Sequence, residues 1–304
     1  MLEVKDLVVT AGGVRIVDGV SFEVRPGEVL GMVGESGSGK TMTMLAVAGL
    51  LPGPARITGG TAALYGTELT EARLERIRGR RIGFVFQDPA TSLNPLMRVG
   101  AQIAEVLRIH GLGRTAARRR AVELLEQVGI GPERARVYPH ELSGGMRQRI
   151  VIAMAIALRP ALLIADEPTT ALDVTVQEQI MRVLRAAQRE TGAATVLVSH
   201  DLGLVSEAAH RIAVMYSGRL VETGTADEVL GAPRHPYSAA LMRSRPRIGA
   251  GRGPLPVIPG HPPAPKSRPP GCAFHPRCPV ALARCAQEVP PLAGGVACWA
   301  VQDG

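Results

Sequence analysis

Along the first two thirds of the chain the apolar positions switch between two periods. Val20, Phe22 and Val24 alternate with polar residues, as in a half-buried strand, and after the Pro26-Gly27 turn the unbroken run Val29–Val33 suits a strand buried on both faces. Residues 42–51 are apolar with good helix formers and stop at Pro52-Gly53. The stretch from about 99 to 159 reads as mostly helical and contains a helix over 114–128 closed by Gly129. Short apolar strands return at 161–165, 194–199 and 211–216, with a helix over 174–190 between the first two. Thr225, with Glu228 three residues on, fits a capping box for one last short helix. Strands alternating with helices predict an α/β fold with a parallel sheet, interrupted by a helical subdomain at about 88–160.

Past residue 232 that pattern stops. Of the 24 prolines, 15 lie at or beyond Pro233, which removes the backbone donors that long helices and strands need. Charge divides at the same place. The body carries 26 basic and 25 acidic side chains and the tail 9 basic and 2 acidic ones, so most of the net +8 belongs to the tail. The chain therefore divides into a body, 1–232, and an extension, 233–304, which holds all four cysteines.

At 304 residues there is room for a large core plus an appendage, and 46% hydrophobic against 20% charged residues excludes disorder for the bulk of it. Aromatic residues make up 3%, too few for a nucleic-acid binder that stacks bases on rings. The longest apolar run, 150–158, falls short of the roughly 18 residues a spanning helix needs. The start MLEVKDLVVT also lacks a signal peptide's basic-then-apolar order. A cytosolic protein is expected, held at a membrane only through a partner.

Candidate chemistry begins at residues 34–41, GESGSGKT, which match GxxxxGK[ST] between a strand and a helix. Gly34, Gly37 and Gly39 let the backbone wrap tightly, so that N–H groups of Glu35, Ser36, Ser38 and their neighbours converge on a phosphate. Lys40 suits the β and γ phosphates, and the Thr41 hydroxyl suits Mg²⁺. The apolar strand ahead of Asp166 and Glu167 places both carboxylates at its C-terminal end, where open α/β sheets bind ligands. Asp166 suits Mg²⁺, and Glu167 suits the general base that orients a water. A solvated acidic turn before Pro168 is the plainer alternative. In LSGGMRQR, residues 142–149, Ser143 stands at a helix N-cap with Gly144 and Gly145 in the first turn, an arrangement that presents N–H groups to an anion.

With these motifs in this order the chain resembles the nucleotide-binding subunits of ATP-binding cassette (ABC) transporters, whose signature the LSGG segment reproduces. Gln87 in FVFQDP matches that family's Q-loop, Ala171-Leu172-Asp173 its D-loop and His200 in VSHD its switch histidine. The resemblance covers about residues 1–232. It implies an ABC-type P-loop ATPase core that takes ATP and Mg²⁺, with Gly34, Glu35, Ser36, Gly37, Ser38, Gly39, Lys40 and Thr41 around the phosphates. It implies Thr41, Gln87 and Asp166 at the metal, and Glu167, His200 and Gln87 in catalysis. It further implies that Ser143, Gly144, Gly145, Gln148 and Asp173 serve nucleotide held by a second subunit, so that ATP joins two chains and hydrolysis releases them. One departure stands out: Thr10 and Ala11 occupy the place where the family carries an adenine-stacking aromatic, so weak or differently supplied base selectivity is expected.

The segments QDPATSLNP, 87–95, and HPYS, 235–238, with the Pro-rich, Cys-bearing tail, resemble the ATPases of oligopeptide and dipeptide (peptide/nickel) importers. That resemblance implies ATP-driven import of peptides, with nickel or a metal complex as the second choice of cargo and a soluble ABC ATPase acting on nucleic acid as a third reading. The implied partners are a second, different ATPase subunit, two membrane permease subunits and an extracytoplasmic substrate-binding protein. No nucleic acid is among them, and the place is the cytoplasmic face of the cell membrane. Cys272, Cys278, Cys285 and Cys298 lack the CxxC of common zinc ribbons, and a reducing cytosol argues against disulfides. Here the resemblance implies a [4Fe-4S] cluster, whose charge Arg268, Arg277 and Arg284 would offset, with zinc or unligated thiols as alternatives. The basic runs at 73–81 and 118–120 read as solvated helix faces.

Overall fold

The computed structural model describes residues 1–170, 172–244 and 257–302. Strands β1 (Leu2–Ala11), β2 (Val14–Val24) and β3 (Val29–Val33) lead to helix α1 (Lys40–Ala48) and strands β4 (Ala55–Leu64) and β5 (Thr67–Glu68). Next come α2 (Glu71–Ile77), β6 (Ile82–Val85), α3 (Pro89–Ser92), α4 (Val99–Ile109), α5 (Arg114–Gln127) and α6 (Gly144–Ile156). After β7 (Leu162–Asp166), α7 (Val174–Thr191) and β8 (Ala194–Val198) follow α8 (Leu202–Ala208), β9 (Arg211–Tyr216) and β10 (Arg219–Thr225). The last helices are α9 (Ala226–Gly231), α10 (Pro236–Arg243) and α11 (Trp299–Gln302). These elements form two compact units. Met1, Val24–Glu28 and Thr70–Val198 make the first; Leu2–Glu23, Val29–Leu69 and the chain from Ser199 on make the second.

In the first unit β6, β7 and β8 run parallel, in a register that sets Ile82 beside Leu162 and Leu162 beside Ala194. β7 and β8 are buried along their whole length, as unbroken apolar strands must be to hide both faces. Each such Leu, Ile or Val side chain contributes about 1.5–3 kcal/mol by leaving water. α6 packs on β6 and α7, while α4 packs on α5 and on the turn Pro132–Arg136. The arginines of α5 form a solvated face, with Arg119 and Arg120 reaching Glu123 at 3.9 and 2.9 Å.

In the second unit an antiparallel sheet has the order β2-β1-β4-β5, and β3 pairs parallel with β9, which pairs antiparallel with β10. α1 starts at Lys40, ahead of the apolar stretch, because the preceding loop launches it from Gly39, and it closes at Gly49 rather than at Pro52. The capping box is formed: Thr225 Oγ1 accepts from Glu228 N at 3.3 Å, and Glu228 Oε2 accepts from Thr225 N at 2.8 Å.

Among the described residues after α10, proline leaves the extension only short turns and the four-residue α11, so side chains anchor it instead. Buried Glu222 on β10 accepts from the N–H groups of Arg234 and His235 at 2.8 and 3.0 Å. Farther on, Thr223 N donates to Gly295 O and Ala297 N to Val221 O, both at 2.8 Å, which ties the far end of the chain back to β10. Arg268 bonds Asp18 at 2.8 Å, and Tyr216, Tyr237 and Phe274 form a fully buried ring cluster with centroids 4.6–5.4 Å apart.

His235 lies inside this packing, 1% exposed, and its Nδ1 accepts from Tyr237 N at 3.0 Å to cap α10. Burial pulls its pKa from the ordinary 6.5 down to about 4, against the opposing effect of a hydrogen bond with the Ala297 backbone, with the Glu222 carboxylate on its own backbone N–H and the Phe274 ring beside it. The folded state keeps this imidazole neutral while the unfolded chain takes a proton below pH 6.5, so stability rises with pH across the window. We expect acidification from about pH 6.5 to 4 to remove on the order of 3 kcal/mol. Urea midpoints measured over that range should show the slope, and His235→Asn, which keeps a cap acceptor, should flatten it.

Candidate nucleotide site

The loop between β3 and α1 is built so that its backbone faces inward on one cation. Lys40, 4% exposed, donates from Nζ to Gly34 O at 2.8 Å and Glu35 O at 3.0 Å, and approaches Ser38 Oγ at 3.5 Å. Ser38 N donates to Glu35 O at 3.2 Å and Ser38 O accepts from Gly218 N at 2.8 Å, which pins the loop to the β9-β10 turn. Gly34 has φ +152, and a Cβ there would stand 2.2 Å from Met215 O. Thr41 follows Lys40 in the first turn of α1, a helix start whose N–H groups suit an anion. His200 is exposed in the same unit, between Ser199, which donates from N to Met32 O at 3.2 Å, and Asp201, which caps α8 from Oδ1.

In the first unit Asp166 ends β7 with its carboxylate buried, and Glu167 follows in the left-handed region at φ 46. Such backbone strain in a residue with a side chain persists only where the surroundings enforce it. They do: Glu167 N donates to Val198 O at 2.9 Å, and Oε2 accepts from Gln87 Nε2 at 3.3 Å and Thr170 Oγ1 at 2.9 Å. Gln87 and Glu167, 80 residues apart, are thus brought together, and Thr170 is a participant the sequence reading missed. Its only signal was its place three residues after Glu167.

Ser143 caps α6, its Oγ accepting from Met146 N at 3.3 Å, and Asp173 caps α7, its Oδ1 accepting from Val176 N at 3.0 Å. Ala171 lies outside the described residues. Gln148 is 1% exposed; its Nε2 donates weakly to Phe86 O at 3.4 Å while its Oε1 is without a hydrogen bond. Gln148 therefore points into the protein as placed. Gly145 is set by packing: a Cβ there would lie 2.4 Å from Val176 Cγ1 on α7. Gly145→Ala should lower stability by about 1–3 kcal/mol, and Gly145→Ala with Val176→Ala should recover most of it in denaturant melts.

The cysteines depart from expectation. All four are free thiols, and among the described residues no three His, Cys, Asp or Glu side chains converge as metal ligands, so the expected [4Fe-4S] ligand set is not assembled. Burial pushes the Cys272 thiol up to about 11, with the other three cysteines adding to the shift, and raises Cys278 and Cys298 as well. Arg268 bonds Asp18, Arg277 bonds Glu35 and Arg284 bonds Glu288, each at 2.8–2.9 Å. Carboxylates won that competition.

A strand, a glycine loop closing on a buried lysine and a helix, carried on a chain with an apolar strand ending in Asp-Glu, define a P-loop nucleoside triphosphatase of the α/β class. The chain belongs to the ABC transporter family: residues 17–170 match the family described as ABC transporter, and residues 221–285 match the Oligopeptide/dipeptide transporter, C-terminal region. It is 50% identical over 284 residues, 91% of this chain and 87% of the relative, to the Dipeptide transport ATP-binding protein DppD of Escherichia coli. To the Oligopeptide transport ATP-binding protein OppD of Bacillus subtilis it is 47% identical, over 96% of this chain and 85% of the relative. The OppD of Mycobacterium tuberculosis is 51% identical, and the chain spans half of that protein's length. Among solved structures, the dimeric post-hydrolysis state of the ATP-binding cassette MJ0796 bound to ADP and Pi superposes with TM-score 0.67 at 28% identity, over 74% of this chain and 99% of that one. The cbiO1 protein of Clostridium perfringens, part of the ABC transporter complex cbiONQ, gives 0.68 at 27% identity over 76% and 90%.

Proposed function

We propose that the chain hydrolyses ATP to drive uptake of di- or oligopeptides through a membrane permease. One observation carries the reading: cassette and peptide-transporter C-terminal region are joined in a single chain, at 50% identity to DppD across 91% of it. In this reading the N–H groups of residues 34–41 and the Lys40 ammonium offset triphosphate charge, Lys40 exchanging loop carbonyls for phosphate oxygens. Thr41, Asp166 and Gln87 are hard oxygen donors that suit Mg²⁺, which when bound neutralises charge on the β and γ phosphates. Glu167 takes the proton of the attacking water, held in aim by Gln87 and Thr170, and His200 contacts the γ phosphate.

Ser143, Gly144, Gly145 and Asp173 serve nucleotide on a partner ATPase, and Gln148 joins them only by turning outward from its buried place beside Phe86 O; capped helix starts at Ser143 and Asp173 and the dimeric MJ0796 relative support the reading. We place the partner as a different ATPase subunit, beside two permease subunits and an extracytoplasmic binding protein, at the cytoplasmic face of the membrane. Among the described residues no helix is long and apolar enough to cross a membrane, so the permease would supply the spanning part. A [4Fe-4S] centre on Cys272, Cys278, Cys285 and Cys298 requires these thiols to deprotonate and gather. Their mutual electrostatic influence supports their proximity, and iron and sulfide analysis of anaerobically purified protein decides it. The functional test is reconstitution with the permease pair and binding protein in vesicles, expecting ATP-dependent accumulation of a radiolabelled dipeptide. Accumulation of nickel instead would move the reading to a metal importer, and ATPase stimulation by nucleic acid alone would overturn transport.

A further inference from the structure

The extension grips the phosphate loop at one residue, from two sides. Tyr237, fully buried, accepts from Glu35 N at 2.8 Å through its phenolic oxygen. Arg277 donates to the Glu35 carboxylate from Nη1 at 2.8 Å and Nη2 at 3.1 Å, a two-pronged pair whose arginine side chain is 6% exposed. The guanidinium is itself immobilised: Nε bonds Pro259 O at 2.8 Å, Nη1 bonds the Tyr216 phenol at 3.2 Å, and the group lies 5.8–5.9 Å from the Tyr216 and Phe274 ring centres. Burial alone would lower the arginine's pKa, but these bonds outweigh it and raise it, so the charge is permanent. Both grips lie far away in sequence, 202 and 242 residues from Glu35.

What they hold bears directly on Lys40. The Gly34–Glu35 peptide is planar, so fixing its N–H with Tyr237 fixes its other end, the Gly34 oxygen that accepts from Lys40 Nζ at 2.8 Å. The Glu35 oxygen accepts from both Lys40 Nζ and Ser38 N, so holding the Glu35 side chain steadies a second lysine contact and the turn of the loop. The carboxylate is also an electrostatic problem: a loop meant for a triphosphate carries a negative charge one residue into its turn, and Arg277 cancels it. His235 explains why the tyrosine arrives in place. Its neutral ring caps α10 by accepting from Tyr237 N, with Pro236 in the first turn presetting the helix.

We propose that Tyr237 and Arg277 are positioning residues for ATP: acting through Glu35, they set the loop peptides that hold Lys40 and cancel the carboxylate the triphosphate would otherwise meet. The proposal rests on the phosphate loop being the ATP site, and the test separates the two. ATP and ADP binding are measured on the full-length chain, and KM and kcat on the assembled transporter, for Tyr237→Phe, Arg277→Gln, Glu35→Gln and the double variant Glu35→Gln/Arg277→Gln. Arg277→Gln should raise the KM for ATP about tenfold with kcat within about twofold, and should weaken ATP more than ADP because the uncovered charge acts on the larger anion. Tyr237→Phe should raise KM about three- to tenfold with a fall in Tm of no more than a few degrees. Adding Glu35→Gln to Arg277→Gln should restore KM to within about threefold of wild type, a rescue that loss of packing does not produce.

KM within twofold of wild type in both Tyr237→Phe and Arg277→Gln, or a fall in Tm with no change in KM, or a double variant no better than Arg277→Gln, each overturns the proposal. Should Arg277→Gln undock the extension, Tyr237→Phe and Arg277→Lys, which keeps the charge, still decide it: KM must rise in the first and change less in the second than in Arg277→Gln. Lys40→Ala is the control. If it leaves ATP affinity unchanged, the ATP-site reading fails; if it abolishes affinity while the extension variants are silent, only the brace fails.

Discussion

Glu167→Gln is expected to lower kcat by about 10²–10⁴-fold while leaving ATP affinity within about twofold. The size of the effect follows from what is lost and what is kept. The amide is nearly isosteric with the carboxylate, so its oxygen still accepts from Gln87 Nε2 and Thr170 Oγ1, and the unusual backbone at φ 46 stays tied through Glu167 N to Val198 O. What disappears is the basic lone pair that, in the proposed mechanism, takes the proton of the attacking water. Phosphoryl transfer depends mostly on positioning and electrostatics, so nucleotide binding survives the change while the hydrolytic step stalls. Single-turnover hydrolysis and ATP binding measured side by side check it, with ATP-stabilised association of two ATPase chains as the second readout. A kcat near wild type would remove Glu167 from the chemistry.

The same residue shows where sequence reading succeeds and where it stops. β3, β7, β8 and β9 were legible because a strand buried on both faces must be continuously apolar, and the caps at Ser143 and Thr225 because a cap needs only its own next three residues. The phosphate loop was legible for a similar reason, since its geometry is local. β4 carries no such mark. Its Thr58-Gly59-Gly60-Thr61 centre has no period, and the strand exists because β1 pairs with it, through a register shift between Lys5 and Val8 beside the left-handed Asp6. Long-range pairings were equally invisible. The tail arginines were expected to offset the charge of a cluster on the cysteines, while the structure gives Arg277 a carboxylate partner 242 residues away. The HPY segment could be noticed as a resemblance, but only the fold shows Tyr237 on the phosphate loop.

Gly34→Ala should be among the most damaging single changes in the second unit, costing on the order of 3–5 kcal/mol and abolishing measurable ATP binding. Two independent penalties meet there. At φ +152 the backbone adopts a conformation that residues with a Cβ rarely take, and the added carbon would lie 2.2 Å from Met215 O and 2.9 Å from Ser38 Oγ. The contrast with Gly145 is instructive, because its clash is with the side chain of Val176 and shrinking that side chain relieves it. Met215 O belongs to the backbone of β9, whose parallel pairing sets Val33 beside Val214, so no truncation removes the obstacle without moving a central strand. Relief must therefore come from the loop. A shift of Gly34 carries its carbonyl away from Lys40 Nζ and strains the Glu35 N–H bond to Tyr237, disturbing lysine and brace together. Calorimetric Tm and ATP titration of the full-length variant test this, and binding within about threefold of wild type would show that the loop accepts nucleotide without the geometry described.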